Sequence, residues 1–294
     1  MSDRPVVRQL IRLAARLTGR VHRQDIWPGL AINRASGLVT WRGNPLLTLL
    51  PFAAIVPPDM PLIAIVGSGP SVADQDLTRL PPRSAILLNG AASLAGSVPP
   101  LAVMVEDERF VFRHMAMLAR LSPDIPLLLS PAALRAVAER DSAVLKDRRV
   151  ALIDNLAKPV NQARRKLADP ALDAVLTRGA NGTALSRDPD AGVVIFGTVA
   201  LSAVQVALAA TPNRILLVGI DLTNAANTPR FYEVKGAAAA SGIVAGLDRI
   251  LGGFALARDV ARANDIMMTC ASPVSALLDI EIAYDPQLST PSQD

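Results

Sequence analysis

Residues 61–71 read Pro61-Leu-Ile-Ala-Ile-Val-Gly-Ser-Gly-Pro-Ser71, and a second apolar run comes after it as Ala85-Ile-Leu-Leu-Asn-Gly90. The first run is a buried strand over 62–66 that ends in a glycine turn, Gly67-Ser68-Gly69. The second is a strand that ends at Asn89. Pro70 fits the first position of a helix, where a missing N–H is no loss, and Ser71 falls in the first turn beside unpaired backbone donors. Glycines permit close approach and early helical N–H groups attract anions, so this unit is a candidate nucleotide site. An ordinary strand-to-helix turn has the same form, and the third glycine of the dinucleotide fingerprint is missing.

Working outward, apolar runs at 85–88, 101–105, 125–129, 150–153, 215–218 and 266–269 read as further strands. Helical patterns fall at 108–121, 132–139, 162–167 and 198–210. This alternation predicts an α/β fold, a mostly parallel Rossmann-like sheet with helices on both faces and ligands at the carboxyl ends of its strands. Residues 27–61 carry short strands and turns, with a breaker at Gly43-Asn44-Pro45, and predict a small hairpin. The expected division is an N-terminal segment over 1–60, a core domain over 61–285 with an irregular lid at 222–241, and a polar tail over 286–294.

The Gly-Ser-Gly-Pro-Ser turn, followed by Leu80-Pro81 and then Asn89 at a strand end, resembles the Gly-x-Gly-Pro-Ser motif of bacterial sialyltransferases in glycosyltransferase family 42. A related pattern occurs in a wider group that includes archaeal pterin diphosphokinases. Two later stretches agree. Gly197 to Ala210 with Ile215-Leu-Leu-Val-Gly-Ile-Asp221 resembles the family's helix, strand and Gly-Ile-Asp turn, and 270–278 resembles its closing Cys…Ser…Leu-Leu segment. The likeness spans about residues 61–280 in the right order.

The resemblance implies a GT-A-like single domain and an inverting, metal-independent glycosyltransferase without a cofactor. It would move sialic acid or a related keto-sugar acid from a CMP-activated donor to a cell-surface saccharide or glycolipid, as in lipopolysaccharide biosynthesis. Implied donor contacts are Gly67, Ser68, Gly69, Ser71, Asn89, Glu106, Gly197, Thr198, Asp221, Thr223 and Tyr232. Asn89 stands where the family has its donor-binding asparagine. Glu106 stands at a second asparagine position, and Gly197-Thr198 where the family has serine and glycine. In the lid, Thr223 and Tyr232 fall near the family's two phosphate-holding tyrosines, while its histidine base is missing. Glu233 is the preferred substitute base, with Asp107 and His114 as the others considered. Two alternatives stay open: a metal-dependent diphosphokinase using Glu106, Asp107 and Asp221 as ligands, and a non-catalytic nucleotide-binding homologue.

Composition narrows the classes. Hydrophobic residues make up 51% and aromatics 3%, so the core is built of aliphatic side chains and a stacking platform for nucleic acid is not expected. A net charge of +4 suits anionic ligands or surfaces. One cysteine, Cys270, and two histidines, His22 and His114, argue against disulfides and Cys/His metal sites. No continuous apolar leader segment precedes the first charges, and prolines break the apolar window at 45–66, so a cytoplasmic protein is expected. Residues 6–23 read as a helix with Arg8, Arg12, Arg16 and Arg20 in a stripe, a candidate contact for an anionic membrane and for peripheral attachment to the inner membrane. A solvated helix face or one packed on a partner is the other reading of that stripe.

Overall fold

The computed structural model describes residues 3–222, 231 and 246–290. The chain opens with helix α1 (Val6–Leu17), then a small antiparallel sheet of β1 (Leu30–Ile32), β2 (Leu38–Trp41) and β3 (Asn44–Thr48). The supposed breaker is a hairpin turn: Arg42 and Gly43 both take positive φ, at 51° and 84°, and the chain returns as β3. Two residues in this conformation match the twist of paired strands, and Pro45 is tolerated because β3 lies at the sheet edge.

The main sheet takes β4 (Ile63–Val66), β5 (Ala85–Leu88), β6 (Ala102–Val105), β7 (Leu127–Leu129) and β8 (Val150–Leu152) outward in sequence. Helices α2 (Glu108–Ala119) and α3 (Pro131–Asp141) come after β6 and β7. A hairpin of β9 (Leu176–Arg178) and β10 (Ala184–Ser186) precedes α4 (Val199–Ala209). The chain then returns to the other side of β4 as β11 (Arg214–Val218) and continues through α5 (Leu247–Ala263) to β12 (Met267–Cys270) and β13 (Ala283–Tyr284). The strand order is β13-β12-β11-β4-β5-β6-β7-β8, with every pair parallel.

Strict alternation within the strands builds two cores. Ile63, Ile65, Ile86, Leu88, Met104 and Leu217 face α4 and α5. Ala64, Val66, Leu87, Val103, Val105 and Leu129 face α2, α3 and the small sheet. Strands buried on both faces explain the continuous aliphatic runs of the sequence. The fold is therefore α/β with helices on both faces, and the strand order reverses between β4 and β11.

The structure corrects several expectations. Residues 162–167 form no helix: they succeed Asn161 at a φ of 60°, and Gln162, Ala163 and Arg164 are exposed. A six-residue segment without an apolar face does not offset the cost of helix nucleation. The 17-residue α5 was not read from the sequence. Its Gly252-Gly253 pair lowers helix propensity, yet a Cβ at Gly253 would stand 2.8 Å from Leu201 and Phe196, so glycine is what lets α5 approach α4. Residues 286–290, expected as polar tail, include the buried Leu288, and Ser289 bridges to Gln75.

The arginine stripe of α1 is not one outward face. Arg8 is buried and donates from Nε to Glu108 Oε2 at 2.9 Å and from Nη1 to the Trp27 carbonyl at 3.1 Å. Arg12 reaches Glu108 at 3.3 Å and Arg4 pairs with the same carboxylate, while Arg16 and Arg20 stay exposed. A buried carboxylate draws guanidinium groups inward because it is costly to leave unpaired. Among the described residues no helix is long and apolar enough to cross a membrane.

Candidate active site

All three patches of the sequence resemblance meet at one buried carboxylate, Asp221, at the point where the strand order reverses. Ser71 donates to it from its backbone N at 3.0 Å and from Oγ at 2.5 Å, and Ser272 Oγ adds a bond of 2.7 Å. Ser275 Oγ donates to the Ile220 carbonyl at 2.6 Å, and Ala276 N to the Asp221 carbonyl at 3.2 Å. The turns after β4 and β11 are thereby zipped together, with Gly67 N on Val218 O at 2.7 Å and Gly69 N on Gly219 O at 2.9 Å.

The glycines are required by this contact. A Cβ at Gly67 would stand 2.6 Å from the Gly219 oxygen, and one at Gly69 would stand 2.5 Å from Asp221 Oδ2. Beyond Gly69 the chain forms a 3₁₀ turn, Pro70–Asp74, and its Ser71 amide already holds an internal carboxylate. Among the expected donor contacts, the Gly67 and Gly69 amides are thus taken by the Val218 and Gly219 carbonyls, and the Ser71 amide by the Asp221 side chain. Ser68, half-buried at the strand end, has no side-chain bond among the described residues.

Unengaged polar groups lie one and two strands away. Asn89 stands at the end of β5 with a φ of 46°, and its buried Oδ1 has no partner among the described residues. Leu88 pairs with Met104 in register, so Glu106 ends the neighbouring β6 almost level with Asn89. Among the described residues Glu106 Oε1 likewise accepts no bond of ordinary geometry, and the buried Ser202 Oγ, in the first turn of α4, stands close to that carboxyl. Helix α4 lies across β4, β5 and β6, and since Asp59, just before β4, donates from its N to the Ala210 carbonyl at the end of α4 at 2.9 Å, the helix runs back along the strands and its amino end sits at their carboxyl ends. Thr198 caps it, accepting from Ala200 N at 3.3 Å.

Burial pushes the Glu106 carboxyl up to about 7; the nearby Ser202 hydroxyl pulls it back and the Asp107 charge pushes it further up. Its neighbour behaves oppositely. Burial also raises Asp107, but the bonds from Arg109, from Nε at 2.7 Å and from the backbone N at 2.9 Å, outweigh it and hold the carboxyl below its ordinary range. Adjacent carboxyls with divergent environments separate into one that keeps its charge and one able to hold a proton near neutrality.

Gly197 takes a φ of 93°, and a Cβ there would lie 3.0 Å from Arg249 Nη2. The exposed Arg249 guanidinium therefore rests over bare backbone at the mouth of α4, with no ion pair among the described residues. Neither Arg249 nor Ser202 is marked by a motif in the sequence. The one available signal for Ser202 was a hydroxyl inside an otherwise aliphatic helix. Thr223, Tyr232 and Glu233 lie outside the described residues. His114 sits at a kink in α2, against the Phe110 ring at a centroid distance of 4.9 Å. The carboxylates of the metal-dependent alternative are dispersed in role, since Asp107 caps α2 and Asp221 holds serines. Among the described residues no three His, Cys, Asp or Glu side chains gather as a metal set.

No family model and no curated protein sequence matches this chain. Among solved structures, it is similar to the sialyltransferase CstII from Campylobacter jejuni, determined in complex with the substrate analogue CMP-3FNeuAc. The likeness has a TM-score of 0.41 and 14% identity, and it covers 78% of this chain and 87% of that one.

Proposed function

We propose that this protein is an inverting glycosyltransferase that moves a sugar from a CMP-activated donor to a saccharide or glycolipid acceptor at the carboxyl edge of β4–β6. The observation that carries the reading is the pair of buried oxygens at neighbouring strand ends that accept no bond of ordinary geometry among the described residues, Asn89 Oδ1 and Glu106 Oε1, with the Ser202 hydroxyl close to Glu106. Both are acceptors that lack donors, and nucleosides and sugars are rich in N–H and O–H groups. The motif resemblance assigns Asn89 the same task, and sialic acid or a related keto-sugar acid is the donor sugar it favours.

In this reading Ser68 and Asn89 hold the nucleoside. The amino end of α4 and Arg249 face the donor phosphate, where backbone N–H groups and a cation favour negative charge. Glu106 takes the proton from the acceptor hydroxyl as its oxygen attacks the anomeric carbon and CMP departs. A base that titrates near the working pH is well matched to that step, which is typically worth about 10²–10⁴-fold.

The test is CMP release from CMP-sialic acid with a saccharide acceptor, in the presence of a chelator. Turnover without metal, reduced at least about 10²-fold by Glu106→Gln, is expected. Turnover only with a nucleoside triphosphate and magnesium would sink the proposal in favour of a diphosphokinase. CMP binding without turnover would identify a non-catalytic homologue.

A further inference from the structure

Helix α1 is docked inside out. Its spacing places Val6, Leu10, Leu13 and Leu17 on one side and Arg4, Arg8 and Arg12 on the other. A helix on a protein surface ordinarily turns its apolar stripe to the core. Here the arginines point inward to Glu108, itself 1% exposed, and Ala15 is the buried apolar residue of the helix. The apolar stripe faces solvent, with Val6 71%, Leu10 60% and Leu17 79% exposed, and Val7 and Leu13 exposed beside them. This orientation is specified, because turning the leucines inward would strip a buried carboxylate of three guanidinium partners.

We infer that the exposed face of α1 seats the protein on an anionic lipid surface. The charge around the stripe favours that occupant. No acidic residue occurs between Asp3 and Asp25, and Arg16 and Arg20 border the stripe without an ion-pair partner among the described residues. Apolar side chains edged by basic ones are the pattern of a helix lying in a membrane interface. Trp27, 47% exposed, is tied to the same helix through its carbonyl on Arg8, and tryptophan favours the headgroup level. A second copy fits less well. A 12-residue helix is about 18 Å long and, at about 10 Å across, covers about 200 Å², short of the roughly 800 Å² per partner of a stable interface. Pairing two such faces would also bring their bordering arginines together.

The inference is independent of the sugar-transfer reading. It is tested with the full chain and sedimented vesicles, either phosphatidylcholine alone or a mixture with phosphatidylglycerol. The wild type should pellet with the mixed vesicles, less so at high salt, and stay in solution with the neutral ones. Leu10→Gln/Leu13→Gln/Leu17→Gln, whose side chains face solvent, should keep the wild-type melting temperature and lose binding at least tenfold. Arg16→Gln/Arg20→Gln should weaken binding about 30-fold, since each basic residue near such a surface contributes roughly fivefold. Equal pelleting of the leucine variant, or no pelleting of the wild type, overturns the inference. So does a wild-type dimer in sedimentation velocity that the leucine variant converts to monomer, because the face would then serve a second copy.

Discussion

Replacing Asp221 by alanine removes the acceptor for three buried donors: Ser71 N at 3.0 Å, Ser71 Oγ at 2.5 Å and Ser272 Oγ at 2.7 Å. The backbone amide is fixed in place and cannot turn to another acceptor as a hydroxyl can, so its loss should cost about 1–3 kcal/mol. The two hydroxyls can rotate toward other groups, which limits each to about 1 kcal/mol. Removing a buried carboxylate also relieves its own desolvation, an opposing effect of about 1 kcal/mol or more. The net expectation is about 3 kcal/mol, or roughly 6 °C of melting temperature for a chain of this size. Asp221→Asn keeps one acceptor oxygen and the shape, and should lose about half as much. Thermal unfolding monitored by circular dichroism reads both. A drop below 1 °C for Asp221→Ala would refute the view that this carboxylate locks the turns after β4 and β11. A loss of nucleotide affinity without a loss of stability would instead make it a ligand contact.

The same geometry sets three further outcomes. Gly69→Ala should destabilise by about 1–3 kcal/mol through the clash with Asp221 and Gly219, whereas Gly96→Ala, with open space around it, should be near neutral in the same melts. Between the ordinary carboxyl value of 4.5 and the raised value of about 7, folded Glu106 holds a proton that the unfolded chain has lost, so stability falls as pH rises through that window and levels off above it. The decline is at most about 3 kcal/mol, and melts of Glu106→Gln should show it removed; an unchanged pH profile would argue against the raised value. Arg8→Ala leaves Glu108 buried with poorer compensation and should cost about 3–5 kcal/mol in urea unfolding, while Arg8→Met with Glu108→Met should recover most of it.

How much was legible depended on whether a feature is local. The strand ending at Asn89 and the helix opening at Thr198 were readable, because a short aliphatic run bounded by turn residues and a long aliphatic helix each declare themselves within about ten positions. The third strand of the small sheet was hidden by Asn44-Pro45, which looks like a stop until the turn at Arg42-Gly43 is seen. Helix α5 was hidden by two glycines whose reason lies in another helix. Periodicity showed that α1 is amphipathic but not which side docks, since the deciding residue, Glu108, is 100 positions from Arg8. The same holds for Asp221. Ser71 lies 150 positions before it and Ser272 lies 51 after, so its saturation by serines was invisible in the sequence.

Isothermal titration of CMP into the chelator-treated protein, wild type against Asn89→Ala and Arg249→Ala, decides whether a nucleotide sits at these strand ends. Metal-free binding that weakens about 5–10-fold in each variant is expected, the loss of roughly one hydrogen bond or one exposed charge contact. CMP binding at equal strength in all three proteins, or none in the wild type, would contradict a nucleotide site at the carboxyl edge of β4–β6.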